Sequence, residues 1–415
     1  MSQRQRILFV SENVTMAQVV RLVVLAGALD PRRYELHFAC SEFDDLVFAG
    51  SPLIRHRLFT IAREKVFRAL AAGRRLYEKN VLARYVEDEL ELFARVQPHL
   101  VVGDFRLSLT VSAPLAGVPH AALINAHFSP YAARTSIPVP DHPIVKLLGV
   151  EKAQRYFPQA VPHVFEHFAR PVNALRAEHG LPRIGSLLEV LTHGDYTLYA
   201  DVPALSPVHE LPASHRYLGP VLWSPRVAKP AWWSEVGRQR PCAYVTLGSS
   251  GNVTALPIVL DALATLPVDV MVATAGRANL ARVPERVFVA DFLPGNEAAR
   301  RSAFVISNGG SATTHQALSE GVPVLGIASN LDQYLGMNDV EHAGAGILLR
   351  AGTLRVDTVR DAAARALRED TLHAAARRMA SELARYDACS RFAAFVDSAT
   401  GARRFGSPEP DIAPI

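Results

Sequence analysis

Short apolar runs alternate with longer amphipathic segments through the first half of the chain. The run RILFV (6–10) predicts a buried strand, and an amphipathic helix through about residue 29 follows it. A polar helix is predicted over 79–96. The other predicted strands of this half are YELHFAC (34–40), HLVVGDF (99–105), PHAALINA (119–126) and DYTLYA (195–200). Strands that alternate with helices in this way predict a parallel α/β sheet.

The same pattern restarts after a segment rich in Pro and Trp. Further strands are predicted in CAYVTLGSSGN (242–252), DVMVATA (269–275), VFVADFLP (287–294), AFVISNGG (303–310) and VPVLGIA (322–328). The chain is too long for one ordinary core, so two domains are expected. The predicted divisions are a first Rossmann-like domain at 1–216, a linker at 217–235, a second Rossmann-like domain at 236–385, and a terminal helix and tail at 386–415 that return to the first domain.

Ligands of open parallel sheets gather where the strands end. Asp104 and Asn125 lie at such ends in the first half. Residues 128–150 are rich in Pro and aromatic side chains and predict a long ordered loop that shapes a partly apolar pocket.

Composition and charge exclude several classes of protein. The net charge is only +4 and no short segment combines Lys and Arg with aromatics, so no nucleic-acid partner is expected. Three scattered cysteines fit a reducing compartment, and the N-terminus lacks the pattern of a signal peptide. A cytoplasmic protein is therefore predicted. The apolar stretch 19–29 contains Arg21 and is too short to span a bilayer.

The stretch ISNGGSATTHQALSEGVPVLGI (306–327) carries the clearest candidate chemistry. Gly309 and Gly310 would let a ligand approach the backbone, and the helix predicted at about 311–319 would present free N–H groups. The turn LGSSGN (247–252) is of the same kind. Together the two turns could clamp a diphosphate, whereas either one alone is more typical of an ordinary capped strand–helix turn.

The block FVADFLPG…FVISNGGSATTHQALSEGVPVLGIASNLDQYLGMNDVEHAGAG resembles the C-terminal signature of the family-1 glycosyltransferases. The phrases LGSSG, YLGPV, VVGDF and VVLAGAL agree with it. The resemblance implies the GT-B fold, an α/β architecture of two facing Rossmann-like domains with parallel sheets and a cleft between them. It implies an inverting transfer without a metal or other cofactor, in which a UDP- or dTDP-sugar is a co-substrate bound by the second domain and the acceptor is bound by the first.

The resemblance also implies roles for individual residues. Phe292 would stack on the base, Asp332 and Gln333 would bind sugar hydroxyls, and the remaining positions would lie at the diphosphate or ribose. The donor-binding residues implied are Gly248, Ser249, Phe292, Asn308, Gly309, Gly310, Ser311, Thr313, Thr314, Gln316, Asp332 and Gln333.

Four positions depart from the family pattern. Asn308 replaces a histidine, Gln316 a glutamate, Gly295 a glutamine, and Gln18 stands where the family has its acceptor-activating histidine. Glutamine cannot accept a proton at neutral pH, although general-base help is typically worth ~10²–10⁴-fold in rate.

Several explanations for the missing histidine remain open. Asp104, which matches the acid that normally orients it, could act as the base directly or through a water, and His127 and His142 are further candidates. An acceptor acidic enough to need no base would also account for the change, and so would a protein without catalytic activity.

The function predicted first is therefore transfer of a sugar to a small, partly hydrophobic natural product or lipid-like acceptor. Two further functions stay open: a weakly active or inactive relative that binds a nucleotide sugar or serves as a partner protein, and an epimerase or hydrolase of nucleotide sugars. A peripheral membrane contact through the Arg-rich segment 63–80 competes with a simple solvated face. A monomer or a homodimer is expected.

Overall fold

The computed structural model describes residues 4–134, 136–248, 251–278 and 283–401. Its first half is built on a parallel sheet of seven strands in the order β3-β2-β1-β4-β5-β6-β7. The strands are β1 (Gln5–Ser11), β2 (Tyr34–Cys40), β3 (Ile54–Arg57), β4 (Leu100–Asp104), β5 (His120–Ile124), β6 (Tyr196–Tyr199) and β7 (His215–Tyr217).

Helices cover both faces of this sheet, as an all-parallel sheet requires. They are α1 (Met16–Gly27), α2 (Asp45–Phe48), α3 (Arg63–Ala71), α4 (Lys79–Val96), α5 (Leu109–Ala116), α6 (Pro143–Leu148), α7 (Val150–Glu178) and α8 (Leu187–Leu191). The loop predicted over 128–150 is wrong in its last part, because α6 and the start of α7 occupy it. Pro143 is at the first position of α6, where its missing N–H has no helical partner to lose.

The second half contains a parallel sheet of six strands in the order β10-β9-β8-β11-β12-β13. These strands are β8 (Cys242–Thr246), β9 (Asp269–Ala273), β10 (Val287–Ala290), β11 (Phe304–Ser307), β12 (Val324–Ala328) and β13 (Gly346–Arg350). The accompanying helices are α9 (Leu256–Ala264), α10 (Gly295–Arg300), α11 (Ser311–Ser319), α12 (Leu331–His342), α13 (Val356–Arg368), α14 (Asp370–Ala384) and α15 (Ala388–Ala399).

The last helix, α15, returns to the first sheet. Phe392 and Phe395 are fully buried there in one apolar cluster with Phe9 of β1 and Phe38 of β2. The rings of Phe9 and Phe392 lie 6.0 Å apart, a distance at which aromatic pairs attract. The C-terminal segment therefore ties the two halves together on the face of the first sheet.

No helix among the described residues combines the length and the apolarity that crossing a bilayer would need.

Candidate functional site

The carboxyl ends of the two sheets meet in a polar interface. The Nε2 atom of His127, just after β5, lies 2.8 Å from Oδ1 of Asp332 in the first turn of α12. Ser311, the first residue of α11, donates to Asn125 over 3.3 Å. Residues predicted separately for the acceptor side and the donor side are thus in direct contact, and the site lies between the two halves.

A buried carboxylate extends this interface. Asp201, which follows β6, accepts hydrogen bonds from the Asn125 amide at 3.0 Å and from the Ala126 N–H at 2.7 Å. It also pairs with Nε2 of His315 on α11 at 3.0 Å. Burial acts to raise the pKa of Asp201, but the bonds and charges of His315 and His127 hold it below its ordinary value. An ionised Asp201 therefore fixes helix α11 against the first half.

Asp104 has a partner that the sequence did not indicate. Arg21 of α1 donates from Nε and Nη2 to the two carboxylate oxygens, at 2.9 and 2.8 Å, and from Nη1 to Asn125 at 2.7 Å. Burial raises the pKa of Asp104 to about 6, while the guanidinium of Arg21 acts to lower it, so the carboxylate is ionised at pH 7. With both carboxylate oxygens bonded to Arg21 and no exposed surface, Asp104 has a structural role at this interface, and its assignment as a base stays a prediction.

Gln18 also has a structural role. Its side-chain oxygen accepts from the backbone N–H groups of Val14 at 3.0 Å and Thr15 at 3.1 Å, completing a capping box at the start of α1. The side-chain oxygen of Gln18 is therefore committed to this cap, and its place at the family's catalytic position stays a prediction. His142 caps α6 by accepting from the N–H of Ile144 at 3.1 Å.

The turn between β11 and α11 is open towards this interface. Gly309 has φ +74°, a conformation that favours glycine, and its N–H donates to Ser307 over 3.0 Å. Asn308 accepts from the N–H of Gly310 and is buried. The Thr314 hydroxyl is buried and has no hydrogen-bond partner among the described residues. Thr313 is half-buried in the same first turn.

The positively charged side chain of Arg277 lies beside the second glycine turn, residues 247–252. Arg277, beyond the end of β9, donates from Nη1 to the carbonyls of Gly248 at 3.0 Å and Gly251 at 2.9 Å. Burial and the nearby positive charge of Arg63 both lower its pKa. Within the described residues, Arg277 bonds to carbonyl oxygens rather than to a carboxylate, so it retains positive charge for an anion. The predicted site residue Ser249 lies outside the described residues.

Two of the departures from the family pattern are neighbours in space. A Cβ atom built on Gly295 would lie 2.9 Å from Oε1 of Gln316. The Gln316 amide itself donates to the carbonyl of Trp223 in the segment between the halves. The absence of a side chain at position 295 therefore makes room for Gln316, and Gln316 bonds to the segment that connects the two halves.

The other predicted donor residues lie at the same edge of the second sheet. Phe292 is half-buried just beyond β10. The side-chain oxygen of Gln333 accepts from the N–H and hydroxyl of Ser329, at 2.9 and 3.0 Å. Gln333 is almost fully buried, whereas the carboxylate of Asp332 is half-exposed and can change partners.

Sequence reasoning did not assign roles to Arg21, Asp201, His315 or Arg277. A usable signal existed for Arg21, since a lone arginine inside the apolar run of α1 requires a buried partner. Arg277 follows a strand of the second sheet, at the edge where ligands are expected. His315 and Asp201 had no comparable signal.

Two facing parallel α/β halves, with a glycine turn and a helix N-terminus opposed to polar groups of the first half, define a glycosyltransferase of the GT-B fold. The family described as "Erythromycin biosynthesis protein CIII-like, C-terminal domain" matches residues 257–390. A "PGL/p-HBAD biosynthesis glycosyltransferase" of Mycobacterium tuberculosis is 49% identical over 367 residues, covering 88% of this chain and 86% of the relative. A "PGL/p-HBAD biosynthesis rhamnosyltransferase" of Mycobacterium bovis is 49% identical over 367 residues, covering 88% and 81%.

The fold has close counterparts among solved structures. The spinosyn rhamnosyltransferase SpnG complexed with thymidine diphosphate has a TM-score of 0.67 at 19% identity and covers 95% of this chain and 99% of its own. This chain therefore belongs to the family-1 glycosyltransferases, and the resemblance seen in its sequence is confirmed.

The ion pair between His127 and Asp332 should make stability depend on pH. Burial acts to lower the pKa of His127, but the bond and charge of Asp332, with the charges of Asp201 and Asp339, raise it above the ordinary 6.5. The stabilisation is therefore complete below about pH 6.5 and is lost as the pH rises through the raised pKa. We expect the stability difference between wild type and His127→Gln to shrink from pH 6 to pH 9 in urea unfolding.

His209→Gln provides the control, because it replaces another histidine of the first half. A difference between wild type and His127→Gln that grows with pH, or does not change, would contradict the charged pair.

Proposed function

We propose that this protein transfers a 6-deoxyhexose such as rhamnose from a dTDP- or UDP-sugar to a partly hydrophobic, lipid-like acceptor, inverting the anomeric carbon without a metal. The observation that carries the proposal is the opening of the Gly309–Gly310 turn and the α11 N-terminus towards His127, with Asp332 between them. The rhamnosyltransferase relative supports the sugar, and the thymidine diphosphate bound by SpnG supports the donor nucleotide.

The second half offers positive charge where the leaving group would lie. The first N–H groups of α11 have no helical partners and attract anions, and Arg277 borders the neighbouring turn. The unpartnered hydroxyl of Thr314 adds a hydrogen-bond donor. In this proposal these groups stabilise the diphosphate as the bond between the sugar carbon and its oxygen breaks.

Asp332 and His127 would act together on the sugar and the acceptor. When the donor binds, the carboxylate of Asp332 turns to a sugar hydroxyl and releases Nε2 of His127. Without that carboxylate the pKa of His127 falls, so Nε2 releases its own proton to solvent. The neutral nitrogen then takes the proton of the acceptor hydroxyl as the acceptor oxygen bonds to the anomeric carbon and the bond from that carbon to the diphosphate oxygen breaks. Of the candidate bases considered from sequence we favour His127, because both oxygens of Asp104 bond Arg21 and His142 caps α6.

The acceptor side is lined with apolar groups. Phe67 of α3, Phe105 after β4, Ile137 and Phe157 of α7 are partly buried against one cluster of the first half. Side chains that keep some exposure beside a cleft suit a ligand with apolar surface. This composition supports the hydrophobic acceptor of the proposal.

Calorimetric titration with dTDP, UDP, GDP and dTDP-rhamnose tests the donor site. We expect dTDP-rhamnose to bind more tightly than dTDP, and Asp332→Ala to lose that advantage, about tenfold, while dTDP binding stays unchanged, because a hydrogen bond to a charged group is removed. Asp357→Ala is the control, since Asp357 is also an acid in the first turn of a helix.

Equal weakening of nucleotide and nucleotide sugar would contradict the role of Asp332. Failure of every nucleotide to bind would contradict the donor site itself. Consumption of the donor without an acceptor would identify a hydrolase instead.

A further inference from the structure

Helix α6 presents apolar side chains to solvent. Leu147 is 83% exposed, more than any other large apolar residue of the described chain, and Ile144 on the same helix is 49% exposed. Leu148 and, on the following helix, Tyr156 are also exposed. Isolated exposed leucines are ordinary, but four large apolar side chains within 13 positions form a patch that requires explanation.

The patch rests on a well-packed base. Val145 of α6 is buried in a small cluster with Val139 and Ala153. Asp141, two residues before the start of α6, accepts a hydrogen bond from Tyr334 of α12 at 2.8 Å and from the N–H of Gly352 at 2.6 Å. Ile144 and Leu147 are therefore exposed on a helix whose other side is anchored to the protein.

Basic side chains lie beside this apolar patch. The ring of His142, at the start of α6, lies so close to Gly73 that a Cβ there would be 2.1 Å from Nε2, which places the end of α3 against α6. Segment 63–79 contains six basic and two acidic residues. Lys65, Arg68 and Arg74 of this segment are exposed, and so are Lys152 and Arg155 near the start of α7.

We propose that α6 and the basic segment 63–79 form a surface that docks this protein onto an anionic lipid bilayer. Apolar side chains would enter the boundary between headgroups and acyl chains, and the surrounding cations would contact lipid phosphates. Charge complementarity favours a lipid surface over a second copy of this chain, which would bring the same cations together.

The position of the surface also relates it to the proposed acceptor side. Phe67 on α3 and Phe157 on α7 belong to the partly buried apolar groups that line the first half, and Phe157 also packs against the cluster under α6. Apolar side chains thus continue from the docking surface towards the cleft. An acceptor with a lipid tail could pass from a bilayer to the site along this side, whichever sugar is transferred.

Co-sedimentation with vesicles tests the proposal. We expect wild type to bind vesicles of phosphatidylcholine mixed with phosphatidylglycerol, to bind phosphatidylcholine alone much more weakly, and to lose binding as salt screens the charges. Ile144→Ser/Leu147→Ser should reduce partitioning about tenfold or more, because buried apolar area sets the affinity. Lys65→Gln/Arg68→Gln should remove the preference for the anionic vesicles.

Leu115→Ser is the matched control, because Leu115 is 36% exposed on α5, outside the proposed docking surface. Its binding should equal that of wild type, and dTDP binding should be unchanged in every variant. The proposal is overturned if wild type does not bind the anionic vesicles, or if the double serine variant binds as well as wild type. A dimer in light scattering that the serine variant abolishes, without vesicle binding, would assign the surface to a second copy instead.

Discussion

Replacing Arg21 with methionine should lower the free energy of unfolding by about 3–5 kcal/mol, since the change leaves a buried carboxylate without its partner. Arg21 and Asp104 form a two-bond ion pair at 2.8 and 2.9 Å, and Asp104 has no exposed surface. The same substitution removes the donor to Asn125, which also contacts Ser311 of the donor helix. Urea unfolding at pH 7 measures the loss.

A double-mutant cycle separates the pair from general damage. Asp104→Leu alone should destabilise by a similar amount, whereas Arg21→Met/Asp104→Leu should recover much of the stability, because a buried ion pair replaced by apolar groups is often nearly neutral. Asp361→Asn is the control. It removes the partner of Arg360 from an exposed ion pair and should change stability little.

A further variant, Asp104→Asn, decides between a structural and a catalytic role of Asp104. Asp104→Asn with unchanged stability and no turnover would restore Asp104 as the base and contradict the role assigned from its contacts. Retained turnover in whatever fraction of Asp104→Asn is folded would support His127 instead.

Gly309→Ala should be the most damaging single change in the donor turn. Gly309 has φ +74°, and an added Cβ would lie 2.6 Å from Cγ of Met337 on α12. We expect unfolding free energy to fall by about 2–4 kcal/mol from backbone strain and overpacking. Turnover should fall about a hundredfold, because displacing the α11 N-terminus by about 1 Å misplaces the donor.

Gly50→Ala is the matched control for this prediction. Gly50 has φ +72°, and nothing lies within 4 Å of the Cβ position, so the variant carries the backbone strain without the clash. It should lose about 1–2 kcal/mol of stability and keep full turnover. Equal losses of turnover in the two variants would show that the position of the turn does not govern donor use.

Much of the architecture follows from local pattern. Helix α4 spans Lys79–Val96 as predicted, because its apolar positions recur at helical spacing and Pro98 follows closely. The predicted donor turn also leads into α11 at Ser311. Buried parallel strands are continuous apolar runs, and this made most of them recognisable.

Elements without such runs were missed. Strand β3 reads IRHR and lies at the sheet edge with exposed side chains, so neither composition nor alternation distinguishes it from a loop. Strand β13 and the three-residue β7 were also missed. Helix α6 has only six residues, too few for periodicity to show.

The sequence alone determined most of the buried strands, the two-half α/β architecture and the glycine turn, because these depend on residues close together in the chain. Only the tertiary structure decided which polar groups are paired. Arg21 and Asp104 are 83 positions apart, and His127 and Asp332 are 205 apart. Such partners are chosen by how sheets and helices pack, and local periodicity carries no information about that packing. Gln316 and Gly295 are a further example, because the side chain of Gln316 occupies the space that a side chain at position 295 would need.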